Sequence, residues 1–289
     1  MGANENSGLN YPDMSLVRQW SDTVAKSMIY QPPYMATYSL GAKEVFYVAA
    51  RHRDSDAGLG SPTFSTISEI FEKTPPDISI IEGIPAGEHS PSWLLELARK
   101  DNEAGFRTSS EGRYTVWLSH QNGAGFTSGE PTRSETQDSL ARQGYSPEDQ
   151  FLRLAIQCLQ QEVCKKTSGI NDGNLEAHTD SWLGRRAEGA SLSARYLKEW
   201  FSQRTGQEMT VESLKNLDQS PSHDNNAGWF RRYMAAEDGI REPATVSAAF
   251  QALQQHDRVL IVYGAAHEVK QAPVFRQMFG NKATYSKPF

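Results

Sequence analysis

Apolar and polar positions alternate along the chain in a way that separates βα-like ends from a helical middle. Residues 44–50, EVFYVAA, are nearly continuous in apolar, β-favouring side chains, as in a strand covered on both faces within a parallel sheet. The run breaks at Arg51-His52-Arg53-Asp54, where Asp54 and Asp56 read as turn formers. Ser61-Pro62 then has the form of an N-cap with proline in the first helical position, and opens a helix to about Lys73. Residues 77–81, DISII, predict a second buried strand that stops at Glu82-Gly83. Ser90-Pro91 opens the next helix, with Trp93, Leu94, Leu97 and Ala98 on its inner face. Residues 110–120 fit a strand through Tyr114 to Leu118, or a helix leading to a short strand at 126–128; the stop at Gly123-Ala124-Gly125 favours the helix. Both readings end on Glu130, just before Pro131.

Ahead of these units, residues 14–29 carry Leu16, Trp20, Val24 and Met28 at helical spacing, and Gln31-Pro32-Pro33 ends that helix. From about 132 to 237 the pattern is helical throughout. Ser146-Pro147-Glu148-Asp149 starts a long helix whose apolar side is Phe151, Leu154, Ala155, Cys158, Leu159 and Val163. Further helices are predicted over 192–204, 210–217 and 229–236. The end returns to α/β form, with a helix over 241–255, a strong strand signal at 257–263 (DRVLIVY) and a last helix over 273–279. Successive βα units predict an α/β fold, a mostly parallel sheet flanked by helices. The chain 1–289 is expected to form a single domain, with 132–237 inserted as a helical cap.

Composition narrows the partners. With 29 Lys and Arg against 35 Asp and Glu, the net charge is −6, and no dense basic cluster appears. That disfavours a nucleic acid or an anionic membrane surface. No apolar run approaches a transmembrane length. Met1 to Ser7 lacks the apolar core of a signal peptide, and Asn6 stands where myristoylation needs Ser or Thr, so the cytoplasm is the default expectation. Cys158 and Cys164 share one predicted helix and lie about 240° apart around its axis, too divergent to bridge.

The loops after parallel strands gather on one edge of the sheet, where ligands of open α/β folds bind. His52 follows the first predicted strand, Glu82 the second, Glu130 the third and His267 the last. Arg241 opens the helix leading back into the last strand, which puts it at the far edge unless its loop folds over. Small residues precede each histidine, in Ala49-Ala50-Arg51-His52 and Gly264-Ala265-Ala266-His267, and are expected to let the backbone turn sharply. His89, His120, His178, His223 and His256 read as solvated, and the Tyr and Trp residues as core and cap packing.

These motifs together resemble the family that joins TraB/PrgY proteins, the Tiki metalloproteases, erythromycin esterases and the haem-binding ChaN-like proteins. The likeness is carried by the small-small-x-His turn, the Ile-Glu-Gly after an Asp, the Gly-Glu-Pro, an Arg-Glu pair ahead of the last strand and the final Gly-x-x-His. Ala49 departs from it, standing where the family has glycine, and the helical middle has no counterpart. The resemblance implies a site of His52, Glu82, Glu130, Arg241 and His267. The chemistry expected there is hydrolysis of a small-molecule or peptide substrate by activated water. In one version a divalent transition metal (Mn, Fe, Co or Zn) sits on His52, His267 and Glu82, or Glu130 in its place, with the remaining glutamate as base and Arg241 on the oxyanion. In another a histidine is itself the base. Haem carriage, or a catalytically inactive interaction protein, is the alternative.

Overall fold

A computed structural model of the protein describes residues 8–52, 59–106, 110–165, 169–186 and 192–287. Asp54 and Asp56 lie outside the described residues. Among the described residues six strands form one sheet: β1 (Tyr34–Leu40), β2 (Lys43–Ala50), β3 (Ile78–Pro85), β4 (Gly125–Glu130), β5 (Arg258–Gly264) and β6 (Thr284–Ser286). Their spatial order is β4-β3-β5-β2-β1-β6. The pairs β4/β3, β3/β5 and β5/β2 are parallel; β1 runs antiparallel to both β2 and β6. The fold is therefore mixed α/β with a mostly parallel sheet. The carboxyl ends of β2, β3, β4 and β5 share one edge.

The chain divides into two compact units, residues 1–136 with 239–289, and residues 137–238. In the first unit the sheet is covered on both faces. Val45, Tyr47, Val259, Ile261 and Tyr263 pack on one side with Val246, Ala249, Leu253, Val274 and Phe275. The alternate positions Phe46, Val48, Leu260 and Val262 pack on the other with Phe64, Ile67, Phe71 and Tyr114. This period-two division explains why both central strands read as unbroken apolar runs.

The helices of this unit are α1 (Asp22–Lys26), α2 (Pro62–Lys73), α3 (Pro91–Glu103) and α4 (Glu111–Gln121), with α10 (Trp229–Gln255) and α11 (Ala265–Met278) near the end. Helix α5 (Arg133–Arg142) and helix α10 each cross a unit boundary. The segment expected to be a helix over 14–29 is instead a 3-10 turn, Met14–Leu16, and the short α1. Strand β1 follows, with Tyr34, Ala36 and Tyr38 buried in alternation. Gly41, at φ 60°, and Ala42 join it to β2 as a two-residue hairpin loop.

The second unit holds α6 (Pro147–Cys164), α7 (Leu175–Arg186), α8 (Ala194–Thr205) and α9 (Val211–Lys215). Its core is built from Leu152, Ile156, Leu159, Trp182, Trp200, Phe201 and Phe230. Ser146 and Asp149 form a capping box at the start of α6. Cys158 and Cys164 both lie on α6 and are free thiols.

Candidate functional site

Glu82 is the centre of the site, and the backbone presents it through an irregularity. The reading that the second strand stops before Glu82 needs correction: β3 continues to Pro85, and its register with β4 shifts between Ile81 and Pro85. Gly83 takes φ 86°, a conformation glycine adopts without strain. Such a shift re-aims a strand side chain. The Glu82 carboxylate accepts a hydrogen bond from the Gly264 amide at 2.7 Å on Oε2. Oε1 meets His267 Nε2 at 3.1 Å and Arg241 Nη2 at 3.2 Å. Gly264 is the N-cap of α11, so the carboxylate also lies at the positive end of that helix.

Glu130 ends β4 and is gripped in two places by Arg241, Nε to Oε2 at 2.7 Å and Nη2 to Oε1 at 2.7 Å. Its Oε1 also accepts the Gly83 amide at 3.2 Å. Gly129 is required beside it, because a Cβ there would lie 2.5 Å from Tyr263 Oη and 2.7 Å from an Ile80 methyl.

Arg241 does not open a helix. Helix α10 begins at Trp229 and passes through Gly239 and Pro243, residues that normally punctuate a helix and here do not. Arg241 therefore lies roughly 21 Å before the end of α10, against a rise of roughly 23 Å along β5. A helix running back along the sheet by one strand length returns its side chain to the edge where the strands end.

His267 lies in the first turn of α11, which starts at Ala265 directly after β5 rather than at Pro273. Its Nδ1 faces Glu242 Oε1 at 2.7 Å, so both ring nitrogens meet carboxylates. Burial alone would lower the pKa of this imidazole, but Glu242 and Glu82 outweigh burial and raise it to about 9. Burial likewise works against ionised Glu82 and Glu242. The cations around them prevail: His267, His52 and Arg241 hold Glu82 well below the usual carboxylate range, and His267 and Lys270 lower Glu242. Lys270 Nζ and Gln271 Nε2 complete the shell of Glu242, the latter at 2.6 Å. Tyr47 Oη donates in turn to Gln271 Oε1 at 3.1 Å.

His52 stands at the mouth. Its side chain is 56% exposed, with Nε2 at 3.4 Å from Glu82 Oε2 and Nδ1 at 3.5 Å from Glu111 Oε2. Glu111 raises its pKa through the hydrogen bond, overcoming burial. The ring sits over Gly264, where a Cβ would come within 2.4 Å of Nε2. Gly264 has φ −55°, an ordinary value. The small residue before the second histidine is therefore there to make room for the first, and not to permit a sharp turn.

All five residues singled out in the sequence, His52, Glu82, Glu130, Arg241 and His267, are thus joined through Glu82 or its partner Arg241. Glu111, Glu242, Lys270 and Gln271 were missed. Each lies within a helix, where one buried polar position has no periodic signature. His89, read as solvated, stacks on Trp93 with ring centroids 3.7 Å apart. Trp93, read as core, is 44% exposed.

The donors do not fit a resident metal ion as they stand. His267 Nε2, the nitrogen an ion would need, already faces Glu82 Oε1 at 3.1 Å, and Nδ1 faces Glu242 Oε1 at 2.7 Å. Among the described residues no group of three or more His, Cys, Asp or Glu side chains is placed to hold one ion. Nor is any described helix long and apolar enough to cross a membrane.

The fold and site define an α/β protein with an ion-paired His/Glu/Arg cluster, buried at His267 and open at His52, at the carboxyl edge of its sheet. The chain matches no family model, no curated protein and no solved structure, so the chemistry has to be read from these residues themselves.

Proposed function

We propose that the protein is a hydrolase that activates water at the Glu82 cluster, with His52 as the general base. The observation that carries this reading is the contrast between the two histidines. His267 is buried between two carboxylates, whereas His52 is exposed and has a carboxylate on each side of its ring.

Glu111 orients the His52 ring through Nδ1, and Nε2, which lies 3.4 Å from Glu82 Oε2, takes a proton from a water at the mouth. The hydroxide so formed attacks an ester or amide carbonyl. Negative charge then develops on the carbonyl oxygen, near the Arg241 guanidinium and the His267 ring, whose charge Glu82, Glu130 and Glu242 offset in part. Collapse of the adduct breaks the C–O or C–N bond, and the proton held by His52 passes to the leaving alkoxide or amine. Arg241 also holds Glu82 and Glu130 in place. The resemblance to the erythromycin esterase branch of the family supports a histidine base without a metal. No Gly-x-Ser-x-Gly elbow is present to provide a serine nucleophile.

The test is hydrolysis of p-nitrophenyl acetate by wild type, His52→Gln and Glu111→Gln. The substitution at His52 is expected to lower kcat/KM by about 10²–10⁴-fold. That at Glu111 is expected to move the acid limb of the pH–rate profile to lower pH. Unchanged turnover in His52→Gln rejects the reading. Activity lost to a chelator and restored by Mn, Co or Zn replaces it with the metal-dependent version.

A further inference from the structure

A cleft beside the cluster has no part in the steps above. Its inner edge includes Gly83, whose amide donates to Glu130 Oε1 at 3.2 Å, and Ser110, the N-cap directly before Glu111. Pro85, also in its wall, pairs in register with Glu130. The cleft encloses about 420 Å³, within the rough 300–1,000 Å³ span of small-molecule sites. The lining also includes His89 and Trp93, stacked at 3.7 Å with 22° between their planes. The indole nevertheless remains 44% exposed.

The chemistry of the walls narrows what they would hold. Arg113 and Arg133 are the cationic groups at the rim, and each already faces a carboxylate. Arg113 Nε is 3.0 Å from Asp101, and Arg133 is paired with Glu88. Charge is therefore matched within the protein, and neither an anionic nor a cationic ligand is called for. The His89 imidazole covers one face of the Trp93 indole and holds its orientation, and the indole is still 44% exposed, which leaves π surface for a further ring. A π face of this kind is complemented by another ring, stacked or edge-on.

We infer that this cleft is the subsite for a neutral aromatic ring carried next to the scissile carbonyl, with Trp93 as its stacking platform. The catalytic consequence rests on the hydrolase reading above; binding of the ring does not.

Two readouts separate them, using N-acetyl-L-phenylalanine methyl ester and its alanine counterpart on wild type, Trp93→Ala and Trp93→Phe. The first is the indole N–H resonance of Trp93, identified by its loss in Trp93→Phe. The phenylalanine ester is expected to shift it saturably at concentrations where the alanine ester does not. By competition against that ester, affinity should fall by about threefold to tenfold in Trp93→Ala and be largely kept in Trp93→Phe. The second readout is the ratio of kcat/KM for the two esters, expected to fall by the same factor in Trp93→Ala. A Trp93 resonance indifferent to the ring, or a preference untouched in Trp93→Ala, overturns the subsite while leaving hydrolysis intact. A saturable shift in a protein that cleaves neither ester supports the subsite and removes the hydrolase reading instead.

Discussion

At the scale of single residues, the site is governed by pairing of buried charge. Arg241 meets both Glu130 and Glu82, so replacing it leaves two carboxylates without their guanidinium. Truncating one partner of a buried pair costs about 3–5 kcal/mol. Arg241→Ala is expected to lose stability of this order in urea unfolding, and Arg241→Lys to recover only part of it, because an ammonium cannot reproduce the two-point grip on Glu130. Gly264→Ala should behave oppositely. Its Cβ would meet His52 Nε2, the end of a side chain at the mouth that can swing aside. Stability should change by less than about 1 kcal/mol, while hydrolysis falls nearly as far as in His52→Gln. A Gly264→Ala protein of full activity would show that the ring position over Gly264 is irrelevant to turnover.

At the scale of elements, most boundaries follow from local chemistry. Ser-Pro pairs open α2, α3 and α6 at the positions read from the sequence: a proline without N–H suits all three starts, and the serine hydroxyl caps α3 and α6 but makes no cap bond at α2. In α6 the hydroxyl of Ser146 accepts the Asp149 amide at 3.0 Å, and Asp149 also binds Trp200 Nε1 at 3.0 Å and Arg204 at 2.8 Å. Ser146→Ala should cost about 1 kcal/mol, and Asp149→Ala more, because it removes the cap's partner and leaves Trp200 and Arg204 without their acceptor. A thermal-shift comparison in which Ser146→Ala is the worse of the two contradicts this ranking. Elements that were misread lacked such local signals. Strand β1 alternates cleanly but is rich in Tyr, Thr and Ser, and β6 has only three residues. The continuity of α10 through Gly239 and Pro243 came from packing of its later turns, Val246, Ala249 and Leu253, on the sheet.

At the scale of the whole molecule, the buried charges make stability depend on pH from two sides. The His267 pKa rises from 6.5 to about 9 on folding, so its contribution is complete below 6.5 and is lost as pH climbs through 9. Glu82 and Glu242 are lowered from 4.5, so their contribution is complete above 4.5 and is lost as pH falls through their folded values. Glu268, raised by burial against the hydrogen bonds from Tyr34 and Tyr38, opposes them on the acid side. Thermal unfolding is therefore expected to show its highest midpoint between about pH 4.5 and 6.5, with an alkaline decline that flattens in His267→Gln. A midpoint constant from pH 6 to 9.5 in wild type would show that His267 does not carry the charge assigned to it.

The central strands, the Ser-Pro helix starts and the edge on which His52, Glu82, Glu130 and His267 gather are legible in the chain before any fold is known. Each of these rests on short-range regularities: a continuous apolar run, a Ser-Pro start, a strand that stops at a polar residue. Long-range packing set the remainder. It brought Arg241 up α10 by a strand length, enclosed His267 between Glu82 and Glu242, set His52 over Gly264, and turned Trp93 out of the core into a cleft. These outcomes depend on pairings between residues far apart in the chain, and the energy of a buried charge or an open ring face is set by whatever the fold puts opposite it.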